Sequence, residues 1–127
     1  MKKLLGFSIF LVLVLIASLT AEAKVTLPAI FSDNMVLQQN TQVNVWGKAA
    51  PGEKVKVKAS WLDKAVTAKA AANGKWTVKL KTPKATTNQS VTVSGENEIT
   101  INNVLIGEVW LCTGQSNMEF PVARNPQ

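Results

Sequence analysis

Hydrophobic and polar residues alternate with period two along most of this chain. The clearest run is 54–61, where Val55, Val57, Ala59 and Trp61 point one way and Lys54, Lys56, Lys58 and Ser60 the other. A strand of this kind has one buried face and one wet face. Residues 75–81 repeat the pattern, with Trp76, Val78 and Leu80 inward and Lys75, Thr77, Lys79 and Lys81 outward. Residues 41–46 set Val43 and Val45 on one face and leave Trp46 out of phase. Shorter strands are expected at 25–27 (ended by Pro28), at 35–38, at 65–70, around Val91 and Val93, and at 99–105, where Ile99 and Ile101 carry the alternation to Leu105. Turn residues separate them: Ser32-Asp33-Asn34, Ala50-Pro51-Gly52-Glu53 and Ser94-Gly95-Glu96-Asn97. Asn73-Gly74 is the favoured pair of a type I′ hairpin and predicts that 65–70 pairs with 75–80. Many short strands punctuated by turns predict a mainly β fold, an antiparallel β-sandwich over residues 24–105.

The pattern changes at Ile106. Ile106, Val109, Trp110, Leu111 and Cys112 form a nearly continuous apolar run, as in a strand covered on both faces. Such strands belong to parallel sheets of α/β domains. Residues 106–127 therefore read as the start of a second domain, far too short to complete one. On this reading Trp110 and Cys112 are core residues, as are Trp61 and Trp76.

The other end has the marks of an export signal. Lys2 and Lys3 precede an apolar stretch over residues 4–19, and Ala21-Glu22-Ala23 is a small-x-small cleavage pattern. Residues 1–23 are expected to be a signal peptide, which makes the mature protein secreted or periplasmic and free of the membrane. Its loss lowers the formal net charge of +6 by one. The lysines alternate with apolar residues along strands instead of clustering with aromatics, so no nucleic-acid partner is expected. Cys112 is the one cysteine, so the apolar core and not disulfides must hold the fold. There is no His/Cys cluster and no glycine-rich phosphate fingerprint, hence no metal and no cofactor is expected.

Candidate chemistry lies where the apolar run ends. Residues 107–120 read GEVWLCTGQSNMEF, a strand-like run feeding a glycine-containing polar turn that presents Ser116. Ligands bind beyond the carboxyl ends of strands in open α/β sheets. Gly114 permits a sharp turn and close substrate approach, and N–H groups freed there suit an oxyanion. By spacing alone, Gly-Gln-Ser-Asn is a polar loop. A serine nucleophile also needs a base, and the chain contains no histidine.

The segment from Gly107 to Glu119 closely resembles the nucleophile block of sialate O-acetylesterases, members of the SGNH hydrolase superfamily. Three earlier blocks are similar to that family too. They are Phe31-Ser32-Asp33-Asn34-Met35-Val36-Leu37-Gln38-Gln39, the stretch Val43-x-Val45-Trp46-Gly47-x-Ala49-x-Pro51-Gly52-Glu53-x-Val55, and Gly74-x-Trp76-x-Val78-x-Leu80. The resemblance implies that Ser116 is the nucleophile attacking an acetyl carbonyl and that its N–H contributes to the oxyanion hole. Gly114, Gln115 and Asn117 would shape the turn around it. The implied partner is O-acetylated sialic acid or another acetylated glycan. The family's Asp and His come from later blocks that this chain lacks, so the chain is expected to be an N-terminal fragment, inactive alone. Acetyl xylan esterase-like activity is an alternative, and so is a sandwich that binds carbohydrate or only supports its neighbour. Trp46 is the residue on which these diverge: a surface for a sugar or, as preferred, a contact with the catalytic domain.

Overall fold

The computed structural model describes residues 24–114, and every regular element among them is a strand. These are β1 (Val36–Gln38), β2 (Gln42–Lys48), β3 (Lys54–Ala59), β4 (Val66–Lys69), β5 (Lys75–Lys81), β6 (Thr86–Ser94) and β7 (Glu98–Gly107). Five of them form a sheet in the order β1-β7-β6-β3-β4, and β2 and β5 form a second sheet. The inner faces of both contribute to one core, rich in valine: Val45 and Val78 from the small sheet meet Val55, Val57, Val91, Val93 and Val104 from the large one. Short β-branched side chains suit a pleated, tightly packed interface of this kind.

The alternation holds in β3 and β5. Val55, Val57 and Ala59 are fully buried, as are Trp76, Val78 and Leu80, while the intervening β5 lysines are exposed. Trp61 falls just past β3 and is half-buried rather than core, its Nε1 donating to Lys81 O at 2.9 Å. Residues 25–27 make only an isolated bridge, Thr26 to Lys48, although Val25 is buried and held through its N–H and C=O by the Asn97 side chain.

Three expectations fail for identifiable reasons. Asn73-Gly74 does not join a hairpin of paired strands: β4 pairs with β3, β5 with β2, and the turn carries the chain from one sheet to the other. Gly74 has φ +75° but Asn73 is not in the positive-φ region, so the turn is not type I′. Gly74 N–H donates to Ala71 O and Ala71 N–H to Lys75 O, a type I turn closed by a left-handed glycine. Gly74 is needed there, because a Cβ would press against Ala49 O at 2.8 Å.

The second concerns β7. The alternation through Ile101 does not reach Leu105; Val104 and Ile106 are the buried residues instead. The ladder with β6 slips twice, between Thr86 and Gln89 and between Gln89 and Val91. The first slip inserts one residue on β6 and the second one on β7, and each contains a left-handed asparagine, Asn88 (φ 55°) and Asn103 (φ 51°). Asparagine tolerates this conformation, and a one-residue bulge flips every following side chain to the other face. The third is that the sandwich is not wholly antiparallel, since β1 pairs in parallel with β7, Val36 opposite Leu105 and Gln38 opposite Gly107.

Candidate functional site

Ile106 is buried between Leu37 of β1 and Thr86 of β6, so the segment leading toward Ser116 leaves the sandwich as a strand bonded on both sides. β1 then stops at Gln38, and side chains take over from backbone pairing. Gln38 Nε2 donates to Glu108 Oε2 at 3.0 Å, and Gln39 Nε2 donates to Glu108 Oε1 at 2.6 Å. Gln38 Oε1 accepts from Val109 N–H at 2.8 Å, and Gln39 Oε1 accepts from Ala85 N–H at 2.8 Å. Below them the buried Thr82 hydroxyl donates to Gln38 O at 2.7 Å and accepts from Thr41 N–H at 3.1 Å. The Gln38 amide, then that of Gln39, holds the Glu108 carboxyl below the usual carboxylate range by bonding its charged form. The sequence signal for this clamp is Gln-Gln at the end of one apolar strand and a Glu just past the end of another, a pattern too common to mark a site by itself.

Past the clamp the expected buried strand is absent. Residues 108–114 have no regular structure, and Val109, Trp110 and Leu111 are 52%, 82% and 89% exposed. Trp110 is therefore not core, and Cys112 is an exposed thiol rather than a buried small hydrophobe. A two-face buried strand needs neighbours for its backbone groups and its side chains. No described element lies beyond β1 to supply them. Gly114 is exposed at the edge of the described residues. Ser116, Gln115 and Asn117 lie outside them, as does the expected signal peptide at 1–23.

Trp46 is on the surface, as its phase implied, at 42% exposure. Its ring meets Phe31 edge to face, with centroids 4.7 Å apart and planes at 79°. It borders an open cleft of about 450 Å³ together with Pro28, Gly47, Lys48, Lys75 and Thr77. Trp76 forms part of the same lining from below, and its buried Nε1 has no hydrogen-bond partner among the described residues. Gly47 is required where it stands: a Cβ would overlap Thr26 O and come within 2.9 Å of Trp76 Cζ2. Thus the cleft and the clamp are separate features, one on the small sheet and one at the end of β7.

No family model matches the sequence, and no curated protein matches it either. Among solved structures, the chain is similar to a carbohydrate acetylesterase from Xanthomonas citri, with a TM-score of 0.70 and 38% sequence identity. The match covers 79% of this chain and 23% of that one, so the chain spans less than a quarter of that protein's length.

Proposed function

We propose that this chain carries the front part of a carbohydrate acetylesterase of the sialate O-acetylesterase type, with Ser116 as nucleophile. The observation that carries the reading is the likeness to the Xanthomonas citri acetylesterase over most of this chain. The resemblance of the segment from Gly107 to Glu119 to a nucleophile block supports it. In this reading Ser116 Oγ forms a bond to the acetyl carbonyl carbon while its proton passes to a base. The C–O bond to the sugar then breaks, and the sugar oxygen takes that proton. Water, giving its own proton to the same base, releases acetate and restores the serine. The Ser116 N–H, in a turn shaped by Gly114, Gln115 and Asn117, binds the oxyanion.

The sandwich contributes position. The Gln38–Gln39–Glu108 clamp fixes where the chain leaves β7. This reading also requires an imidazole and a carboxylate partner, and the 127 residues contain no histidine. The 127-residue chain alone therefore turns over no ester at a useful rate, because even a complete site loses most of its rate with one triad member gone. Export follows from a signal peptide at residues 1–23, placing the activity outside the cytoplasm.

The test is acetate release from O-acetylated sialic acid and O-acetylated xylan by the product of the complete reading frame. Ser116→Ala is expected to lower it by ~10³-fold or more. Deacetylation that survives Ser116→Ala overturns the reading, and the preferred sugar decides between the sialate and xylan forms.

A further inference from the structure

The outward face of the β2–β5 sheet is a ladder of four rungs: Lys48 opposite Lys75, Trp46 opposite Thr77, Asn44 opposite Lys79, and Gln42 opposite Lys81. All eight residues are exposed, and none is acidic. None of the four ammonium groups makes an ion pair or hydrogen bond with a described residue. Asp63 shares a hollow with Lys79 and Lys81, but also with Lys64. On the other side of the molecule the β3 lysines are better compensated. Lys58 bonds the carbonyls of Leu62 and Asp63, and a hollow there joins Lys56 and Lys58 to Asp63 and Glu98.

Uncompensated ammonium groups in a row make a field that attracts an extended anion. With ~6.8 Å per two residues of strand, Lys75 and Lys81 lie roughly 20 Å apart. That length fits a linear polymer rather than a single small anion. At one end, the Trp46 cleft adds an aromatic surface, the Thr77 hydroxyl and two ammonium groups around a space of about 450 Å³. These are the groups that recognise one sugar ring: an apolar face for its C–H bonds, a hydroxyl partner, and cations for a carboxylate. The edge-to-face contact with Phe31 holds the Trp46 ring in place.

We propose that the outward β2–β5 face binds an anionic polysaccharide, a chain of carboxylate-bearing sugars, with one ring seated on Trp46. The choice of a polysaccharide rests on the acetylesterase reading above, and it narrows the substrate class to acetylated acidic glycans. The face itself favours that occupant over a single-stranded nucleic acid, which needs successive aromatic platforms. Trp46 is the one aromatic on these four rungs.

The experiment is calorimetric titration of the chain with polygalacturonate, with dextran as the neutral polymer and oligo(dT) as the nucleic acid, at about 50 and about 300 mM salt. Polygalacturonate is expected to bind and dextran not. The triple variant Lys75→Glu/Lys79→Glu/Lys81→Glu should weaken binding by ~10-fold or more, since it reverses the contacts that displace counterions. Lys54→Glu/Lys56→Glu/Lys69→Glu changes the net charge equally on the opposite face and should cost less than about threefold. Trp46→Ala should weaken binding at both salt concentrations, because stacking is not screened. Equal losses in the two triple variants would reduce the effect to net charge and overturn the proposal. So would absence of polygalacturonate binding, or tighter binding of oligo(dT). No ester is involved, so this result is independent of whether Ser116 hydrolyses anything.

Discussion

Gly47→Ala is the most informative single substitution in the described fold. Gly47 lies where β2, the bridge residue Thr26 and the buried Trp76 ring converge. Its backbone is not in the positive-φ region, so alanine meets no torsional penalty and the cost is steric. The new methyl group would occupy the space of Thr26 O and crowd Trp76 Cζ2 at 2.9 Å. Trp76 is only 2% exposed, so the ring has little room to retreat, and the segment bearing Thr26 must move. That movement breaks the two bridge bonds, Thr26 N–H to Lys48 O at 2.9 Å and Lys48 N–H to Thr26 O at 3.0 Å. Overpacking costs ~1–3 kcal/mol, and two lost backbone bonds cost ~0.5–1.5 kcal/mol each. Reduced freedom of the unfolded chain returns ~0.4–1 kcal/mol, leaving a net loss of about 3 kcal/mol. At ~4–8 °C per kcal/mol for a domain of this size, Tm falls by ~12–24 °C. The assay is thermal unfolding followed by far-UV circular dichroism and by tryptophan emission. Gly107→Ala is the control, because a Cβ there meets nothing within 4 Å, and it should melt at or slightly above the wild-type temperature. A Gly47→Ala protein melting within about 4 °C of wild type, or a Gly107→Ala protein that loses as much, would refute the steric argument.

Thr82→Val keeps the side-chain volume but removes a buried hydroxyl that serves Gln38 O and Thr41 N–H; urea unfolding should show a loss of ~1–3 kcal/mol. The Glu108 carboxyl has a folded pKa below its unfolded one, so it stabilises the fold above the unfolded value and ceases to do so as pH falls through the folded value. In the Gln38→Ala/Gln39→Ala protein, the NMR titration of the Glu108 carboxyl should move up toward the ordinary glutamate midpoint; an unmoved midpoint would sink the clamp. Cys112 is exposed, so iodoacetamide should alkylate it in the folded protein nearly as fast as in urea, and strong protection would contradict its placement.

The strands whose two faces differ most in polarity were the legible ones. In β3 and β5 lysine or threonine alternates with valine, alanine, leucine or tryptophan, and the apolar residue is the buried one at every step. What could not be read locally was which strand lies beside which. Asn73-Gly74 is a sound turn signal, but whether its flanking strands pair or part depends on strands distant in sequence, since β4 pairs with β3 and β5 with β2. The burial of Val104 in place of Leu105 depends on Asn103, a polar residue that reads as an ordinary member of the alternation until its φ is known. The exposure of Trp46 was legible from its phase alone. Trp110 and Cys112 were misread because a run of apolar residues says that a segment seeks cover, not that a described neighbour supplies it. For the candidate site, the clamp joins residues about 70 positions apart, beyond any local pattern.

The position of β7 inside its sheet has a mechanical consequence. A load applied to the chain beyond Gly107, directed along the strand, does not unzip an edge one rung at a time. It loads the β1 and β6 ladders together in shear, and many hydrogen bonds must fail at once. The parallel β1 partner, short as it is, flanks the last rungs of β7 where such a load arrives. Whatever is attached at that end is therefore anchored at a stiff point, and drag on it would be transmitted into the core of the sandwich before the join gives way.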